Sequence, residues 1–450
     1  MKNLAKMVGI IAFVAVITFT MAACGDEPDP QPQPGANANN PIDRVESTNL
    51  GTMTSSASGW QQLLYSINST GKYINLDLSA CTMTGTAFNP DSTVETGKKY
   101  IVSIVLPAVA TSIEAGTSSN STFKNFTNLK SINGANIITI GDYSFELDYL
   151  QSVDFPLVTT IGAYAFRFCS DLESISFPAS AQLGYSSDNG SYSNPFSGCD
   201  NLTSFTLSGS GSLSVIENGK ALVRNGTILL AYPSATGTVT MNNITALDGN
   251  VFQDCYDLDS VNFPQVTSIG SEAFYGCERL QSASFPLVTS IGSEAFYYCR
   301  NIQDVNFPQA TSIGSEAFYG CERLQSASFP LVTTIGFEAF YFCSALVSVN
   351  IPKVTNIGGW AFSSTGAAAL SITMGSIAPT LGDNIFGTAS TAKTVTVEVP
   401  AGAVGYGPSA FGTNTTANWA NGLRGGGWNG SSFAQYSQPN QNITVNIQRQ

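Results

Sequence analysis

Glutamates recur at one fixed interval in the second half of the sequence. Glu272, Glu294, Glu316 and Glu338 stand 22 residues apart. Paired carboxylates could serve as the acid and base of a glycosidase or as calcium ligands. However, equivalent repeat positions have equivalent environments, whereas acid–base catalysis needs unlike ones, and no D-x-D-x-D-G loop accompanies them. We therefore predict a solvated surface stripe whose charge is screened by nearby arginines. These are Arg279, Arg300 and Arg323.

Cysteines recur at the same interval. They stand at Cys255, Cys277, Cys299, Cys321 and Cys343. Stacked repeats would bring neighbouring Cα atoms to about 5 Å, within disulfide range, and exported proteins can oxidise thiols. Stacked side chains nevertheless point in the same direction rather than at each other. Zinc is not supported, because the chain has neither a C-x-x-C pattern nor a histidine. We predict a buried column of free thiols and no metal site.

The absence of histidine from all 450 residues limits the possible chemistry. It excludes Ser-His-Asp and Cys-His catalysis, and it removes the commonest general base at neutral pH. The formal net charge of −13, without a basic cluster, argues against nucleic acid as a partner. The sequence therefore predicts a protein that is not an enzyme and has no cofactor, with a carboxylate-based hydrolase as the competing interpretation.

Tyrosines form the column with the clearest potential for binding. A line of partly exposed tyrosines is typical of protein-binding surfaces, although the same rings could simply cover a core. The candidate binding surface comprises Tyr275, Tyr297, Tyr298, Tyr319 and Tyr341.

These columns belong to a repeat that must position them. The stretch IGSEAFYGCERLQSASFPLVTS, residues 269–290, returns almost unchanged at 313–334. In its segment LQSASFP, alternation predicts a strand with Ala283 and Phe285 inward and Ser282 and Ser284 outward. The segment SEAFYGCERL reads as one loose helical turn. One such strand buries too little apolar surface to be stable alone, so the repeats must stack.

A strict period in the range of 20–29 residues with this apolar pattern predicts a leucine-rich-repeat solenoid. The predicted fold is β-rich, a right-handed coil of about eleven 22-residue units with terminal caps and a hairpin insertion. The hairpin is predicted from ALVR-NG-TILL, because Asn-Gly suits a two-residue type I′ turn. For the N-terminal cap we predict a helix in residues 58–70, with Trp60, Leu63, Leu64 and Ile67 on one face.

The domain boundaries follow from these patterns and from the N-terminal composition. A basic start, an apolar run and small residues before Cys24 predict a lipoprotein signal, and alternating prolines predict a stiff tether. The predicted order is signal peptide 1–23, lipidated Cys24 with the tether 24–45, N-terminal cap 46–99, degenerate repeats 100–212, hairpin insertion 213–246, regular repeats 247–380 and C-terminal cap 381–450.

The repeat resembles the BspA-like leucine-rich-repeat family of bacterial surface proteins. The resemblance rests on L-x-x-(V/A)-x-F-P-x-V-T-x-I-G-x-x-A-F-x-x-C, found at 258–277, 280–299, 302–321 and 324–343. It implies an adhesin that binds host extracellular matrix proteins or the surface proteins of other bacteria. Together with the lipid anchor, it implies a location on the bacterial outer membrane or cell surface. A structural or antigenic coat protein without a specific ligand is a further interpretation.

Overall fold

The computed structural model describes residues 43–44, 49–55, 58–91, 96–147, 149–184, 193–365, 369–382, 385–386, 393–404, 406, 432–435 and 443–450. The predicted signal peptide 1–23, Cys24 and the tether as far as residue 42 lie outside these ranges. The chain divides into an N-terminal part, Met1–Ser191 with Cys199–Gly211, and a C-terminal part, Tyr192–Gly198 with Ser212–Gln450.

The N-terminal part is built from short parallel strands. In chain order they are β1 Asp43–Arg44, β2 Ile74–Asp77, β3 Ala87–Phe88, β4 Ile101–Val105, β5 Ser112–Ile113, β6 Ser131–Asn133, β7 Thr139–Ile140, β8 Ser152–Asp154, β9 Thr160–Ile161, β10 Ser174–Pro178, β11 Gln182–Leu183 and β12 Ser204–Ser208. They form parallel sheets of order β1-β2-β4-β6-β8, β11-β9-β7-β5-β3 and β10-β12. Alternate strands therefore build separate sheets, as expected of a coil that contributes two strands per turn.

A single α-helix, α1 Gly59–Thr70, lies between β1 and β2 among the described residues of this part. The Ser58 hydroxyl accepts a hydrogen bond from the Gln61 N–H at 3.2 Å, and Gly71 ends the helix with φ 62°. Trp60, Leu63, Leu64 and Ile67 are buried, as the apolar spacing predicts. Short 3₁₀ turns occur at Lys98–Tyr100 here and at Glu217–Gly219 in the C-terminal part.

The C-terminal part continues the same construction. Its strands are β13 Leu213–Ile216, β14 Ala221–Arg224, β15 Ile228–Ala231, β16 Gly237–Thr240, β17 Ala246–Leu247, β18 Leu258–Asn262, β19 Ser268–Ile269, β20 Ser282–Ser284, β21 Ser290–Ile291, β22 Asp304–Asn306, β23 Ser312–Ile313, β24 Ser326–Ser328, β25 Thr334–Ile335, β26 Ser348–Ile351, β27 Asn356–Ile357, β28 Ala369–Met374, β29 Thr380–Leu381, β30 Lys393–Val399, β31 Ser432–Gln435 and β32 Ile443–Arg449. The sheet orders are β13-β14-β15-β17-β19-β21-β23-β25-β27-β29, β16-β18-β20 and β22-β24-β26-β28-β30-β32-β31.

Each part is a parallel β-solenoid, and the two parts contain about 13 turns in all, which confirms the predicted fold class and raises the number of turns. Parallel pairing reaches into both segments predicted as caps, through β2 and β3 at one end and β30 and β32 at the other. Even Asp43–Arg44, at the end of the predicted tether, pairs with β2. These turns lack the Ile-Gly pair and the Cys that characterise the repeat, so the sequence pattern does not predict them. The other domain boundaries stay predictions.

The hairpin is antiparallel, unlike the coil around it. β14 pairs with β13 on one side and β15 on the other. Asn225 and Gly226 in its turn have φ values of 53° and 73°, as a type I′ turn requires. β15 then pairs in parallel with β17, so the hairpin joins the sheet of the repeats.

The core of the C-terminal part contains two stacks of phenylalanine. The residue five positions after each repeat isoleucine is buried, and successive rings lie 5.0–5.4 Å apart from Phe274 to Phe362. The strand phenylalanines form the second stack at 5.6–6.0 Å, from Phe263 to Phe329. Phe285 is buried and Ser282 and Ser284 are exposed, which confirms the predicted alternation; Ala283 is partly buried.

The turn segment of each repeat is not the helical turn that its sequence suggests. Its N–H groups donate to the following repeat instead: Glu272 to Ser293 at 2.9 Å, and Phe274 to Ala295 at 2.8 Å. Hydrogen bonds between repeats therefore replace the i to i+4 bonds of a helix. Local i to i+3 turns fill the intervals, and the glutamate of each turn takes a left-handed conformation, with φ of 53–57°.

A second left-handed position follows four residues later, and it alternates between large and small side chains. The series runs Asp254, Gly276, Tyr298, Gly320 and Phe342. A Cβ added at Gly320 would overlap the ring of Tyr298, and one at Gly276 would lie 2.5 Å from Asp254 Oδ1. Each glycine therefore makes room for a side chain of the repeat before it, and neighbouring repeats are complementary rather than interchangeable.

Replacing Gly320 with alanine should destabilise the protein through both backbone strain and displacement of the Tyr298 ring. Gly71 separates the two effects, because it also has positive φ (62°) but has no atom within 4 Å of an added Cβ. We expect Gly71→Ala to cost about 1 kcal/mol and Gly320→Ala about 2 kcal/mol more, measured by denaturant unfolding. In a Tyr298→Ala background, Gly320→Ala should cost no more than Gly71→Ala; an unchanged penalty would show that the ring does not occupy this space.

The cysteine column is buried, as predicted. The thiols of Cys277, Cys299, Cys321 and Cys343 are free, and each Sγ donates to a phenylalanine carbonyl 25 residues earlier at 3.0–3.2 Å. Burial raises the pKa of Cys277, Cys299 and Cys321 well above the usual thiol range. These side chains therefore pack as small, inert groups that also bond the previous turn.

These four cysteines should resist alkylation in the native protein and react fully after unfolding without reductant, because burial alone protects them. Peptide mapping by mass spectrometry after differential alkylation measures this, with added reductant as the comparison. Peptides that become alkylated only when reductant is present would indicate disulfides and contradict the column of free thiols.

Candidate binding surface

The predicted tyrosines do lie together in the structure. Tyr275, Tyr297, Tyr319 and Tyr341 are half-buried, and successive ring centroids lie 4.8, 4.7 and 5.1 Å apart. The ring planes are nearly parallel, at 4°, 11° and 13°. The faces of these rings are therefore covered by each other, which leaves the ring edges for a partner and disfavours stacking of a sugar ring on them.

Aromatic side chains from the alternating position widen this row. Tyr298 packs edge-on against Tyr297 at 4.6 Å, and Phe342 packs edge-on against Tyr341 at 4.6 Å. Phe342 is 45% exposed. Trp360 lies 6.4 Å from Tyr341 and extends the aromatic row by one repeat. We call these seven residues the aromatic face: Tyr275, Tyr297, Tyr298, Tyr319, Tyr341, Phe342 and Trp360.

The glutamate column borders the aromatic face, and it is not the solvated stripe that the sequence predicts. All four glutamates are partly buried. Burial, followed by the charges of Glu272 and Glu316, raises the pKa of Glu294 to about 7. Burial and then Glu316 raise the pKa of Glu338. The cause is the stacking itself, since it places like charges on neighbouring turns next to apolar rings.

The arginines do not screen this column, contrary to the sequence prediction. Arg279 forms ion pairs with Asp257 and Asp259 at 3.0 and 3.1 Å. Arg300 lies between Glu278 and Glu322, at 3.8 and 3.6 Å. Within the described residues, no ion pair involves Glu294, Glu316 or Glu338. Arg279 and Arg300 pair instead with acidic residues outside the column, about one repeat away.

Burial raises the pKa of three stacked tyrosines, Tyr275, Tyr297 and Tyr319, above the usual tyrosine range. Burial, and then the neighbouring tyrosines, raise the pKa of Tyr297. Burial raises the pKa of Tyr275, with further contributions from Glu294, Asp254 and Glu272. Tyr275, Tyr297 and Tyr319 therefore present uncharged rings, with the glutamate carboxylates along their border.

Some features of this surface escape sequence reasoning. Trp360 occupies the position of the glutamates one repeat further on, so a column alignment that tolerated a change of residue type would have found it. The glycine–aromatic alternation is visible in the sequence, but its meaning depends on which side chain covers which glycine. Cys24, the predicted lipidation site, lies outside the described residues. Among the described residues, no group of three or more His, Cys, Asp or Glu side chains could hold a metal ion.

The Glu294→Gln variant should be more stable than the wild type at about pH 8 and lose this advantage near pH 4.5. With its pKa raised from 4.5 to about 7, folded Glu294 binds more protons than unfolded Glu294 in this window, so its contribution to stability falls as pH rises. After discounting for solvent screening, the advantage of Glu294→Gln over the wild type in unfolding free energy should be about 1 kcal/mol larger at pH 8 than at pH 4.5. Glu173→Gln, at an exposed glutamate, is the control. If the stability of both variants relative to the wild type changes equally with pH, the pKa of Glu294 is not raised.

The sequence is similar to a known family of repeat proteins. A model of the BspA type leucine-rich-repeat region matches residues 97–219, 245–369 and 311–416, with six copies. No curated protein matches the chain by sequence. Within the described part of the chain, no helix combines the length and apolar character needed to cross a membrane.

Solved structures include several similar proteins. A leucine-rich cell surface protein from Faecalibacterium prausnitzii is 25% identical, over 60% of this chain and 83% of that chain, with a TM-score of 0.42. The pneumococcal vaccine antigen PcpA is 18% identical over 65% and 80%, with a TM-score of 0.46. A leucine-rich-repeat protein from Eubacterium ventriosum is 22% identical over 63% and 90%, with a TM-score of 0.45.

The family model covers well over half of the 450 residues, and the matched ranges lie largely within the stacked turns described above. The chain belongs to the BspA-type leucine-rich-repeat family.

Proposed function

We propose that this chain is a non-enzymatic protein of the bacterial surface that binds host matrix proteins or the surface proteins of other cells. The observation that carries this proposal is the aromatic face. Partly exposed aromatic side chains with little rotational freedom are the residues that contribute most to protein–protein affinity. Here they run without interruption across repeats, so a partner could contact several turns at once.

The absence of a catalytic arrangement in the repeated glutamates supports a binding role. Glu272, Glu294, Glu316 and Glu338 stack along one side of the coil, whereas a hydrolase needs two carboxylates in unlike environments on opposite sides of a substrate. Membership of a repeat family whose members generally act as scaffolds is consistent with this interpretation.

Surface display would follow from lipidation of Cys24. The acyl chains would hold the protein at the membrane of the cell surface, and the proline-rich segment would separate the solenoid from the lipid. Metabolic labelling with a radioactive fatty acid, comparing the wild type with Cys24→Ser, tests this part of the proposal independently of binding.

Binding should depend cumulatively on the tyrosines of the aromatic face. Capture of purified matrix proteins by cells that display the full chain should fall by about fivefold for each Tyr→Ser change at 275, 297, 319 and 341, corresponding to about 1 kcal/mol per ring. The control is Tyr→Ser at the exposed Tyr65 and Tyr149 of the N-terminal part. If these control changes reduce capture equally, the aromatic face is not the binding surface.

Removal of two repeats, residues 291–334, should reduce capture without unfolding the chain. This deletion brings Phe342 next to Gly276 and so preserves the alternation of large and small side chains. Removing 313–334 alone would replace Gly320 by Phe342 in the turn after Tyr298, where even a Cβ atom overlaps the Tyr298 ring. If capture is unchanged in the two-repeat deletion, the binding site lies elsewhere on the chain.

A further inference from the structure

Three features of the aromatic face restrict the chemistry of its partner: covered faces of the stacked tyrosine rings, the carboxylates of Glu294, Glu316 and Glu338 along its border, and a contact with arginine. We propose that the aromatic face binds an extended polypeptide segment rich in arginine and lysine. This inference rests on the proposed binding function and names the class of partner for the same surface.

The carboxylates along the border of the aromatic face favour a positively charged partner. Glu294, Glu316 and Glu338 are partly buried on consecutive turns, and neither an ion pair nor a side-chain hydrogen bond is seen for their carboxylates in the described residues. The stacked tyrosine rings of neighbouring turns lie 4.7–5.1 Å apart, and like charges on turns so close together repel. A cationic side chain that reached this border would relieve the repulsion as well as form an ion pair.

The aromatic face already accommodates a guanidinium group from within the chain. Arg300 lies over the ring of Tyr298, with Cζ 4.9 Å from the ring centroid. A corresponding contact occurs in the N-terminal part, where Arg167 lies 5.5 Å from Tyr164 and 4.4 Å from Phe168. Tyrosine bordered by carboxylate is a favourable environment for arginine, because the ring and the carboxylate both attract the cation.

Two other occupants, a second copy of this chain and a glycan, fit the aromatic face less well. A second copy of this chain would bring an identical acidic border and an overall charge of −13 against the first, which opposes pairing of the two faces. A glycan would need open ring faces, and those of the tyrosine stack are covered by neighbouring rings. An extended basic polypeptide meets both restrictions, since its flexible side chains can reach ring edges and carboxylates on successive turns.

The test uses the full chain and a fluorescently labelled oligoarginine peptide, with oligoglutamate as the peptide control. The main variant replaces Glu294, Glu316 and Glu338 with Gln. Its matched control makes the same change in charge at Glu114, Glu146 and Glu173 of the N-terminal part, all of which are exposed. The variant Tyr297→Ser with Tyr319→Ser tests the rings. Thermal unfolding confirms that each variant is folded.

We expect oligoarginine to bind the wild type at moderate salt and oligoglutamate not to bind. The Glu294/Glu316/Glu338 variant should bind oligoarginine about tenfold more weakly, a change that corresponds to about 1.4 kcal/mol, and the matched control should stay within about twofold. The tyrosine variant should also weaken binding severalfold. Equal losses in the main variant and its control would show attraction by net charge alone and overturn the proposal, as would failure of the wild type to bind.

Two further measurements distinguish this inference from the proposed function. If the Glu294/Glu316/Glu338 variant captures matrix proteins as well as the wild type does, the partner is not basic and the inference fails, while the binding function stands. If oligoarginine binds as expected but no matrix protein is captured, the inference stands and the proposed function fails. Self-association of the wild type that oligoarginine does not disturb and that the tyrosine variant abolishes would identify a second copy as the occupant and overturn the proposal.

Discussion

The structure depends on hydrogen bonds between one turn of the chain and the next. In the strands these are parallel ladders, and in the turns they run from N–H groups such as that of Phe274 to the carbonyl of Ala295. Threonines add a third set, in which each hydroxyl donates to the carbonyl of the threonine one repeat earlier; Thr289, Thr311, Thr333 and Thr355 do so at 3.0–3.2 Å. Because every corner of the coil is bonded in this way, neighbouring turns are held about 5 Å apart throughout the repeats.

That spacing explains both the strength and the cost of the repeat. Identical apolar residues stack well, so the phenylalanine and cysteine columns fill the interior without gaps. Identical charged residues stack unfavourably: partial burial, followed by repulsion from Glu272 and Glu316, raises the pKa of Glu294 to about 7. The left-handed backbone at these glutamates adds strain, of about 1 kcal/mol or more at each residue. Strain and repulsion together in one column suggest that the carboxylates are retained for a role other than stability.

The aromatic face arises from the same geometry. A regular stack of tyrosines would present a uniform edge, but the insertion of Tyr298 and Phe342 at alternate turns changes the surface every second repeat. Gly320 in the intervening turn provides the space for the Tyr298 ring. The side-chain pattern of this surface therefore repeats every two turns, although the backbone pattern repeats every turn.

The sequence by itself determined the architecture of this protein. The 22-residue period, the strand alternation and the Asn225-Gly226 turn depend on local backbone preferences and on the need to bury one face, and both can be read from residue types in order. The inward position of Phe285 and the packed face of α1 follow from the same rules. The family resemblance also rests on these spacings, which is why the family model matches the same region.

Only the tertiary structure decided how equivalent residues affect each other. The segment SEAFYGCERL looks helical in sequence because its local preferences favour a helix, but its N–H groups find partners in the next turn. The glutamates look solvated because each is charged, but stacking beside the tyrosines partly buries them. Arg279 and Arg300 look close to the glutamate column in sequence, but they form ion pairs with Asp257, Glu278 and other acids instead. In each case the deciding contact lies about 22 residues away, where local sequence patterns carry no information.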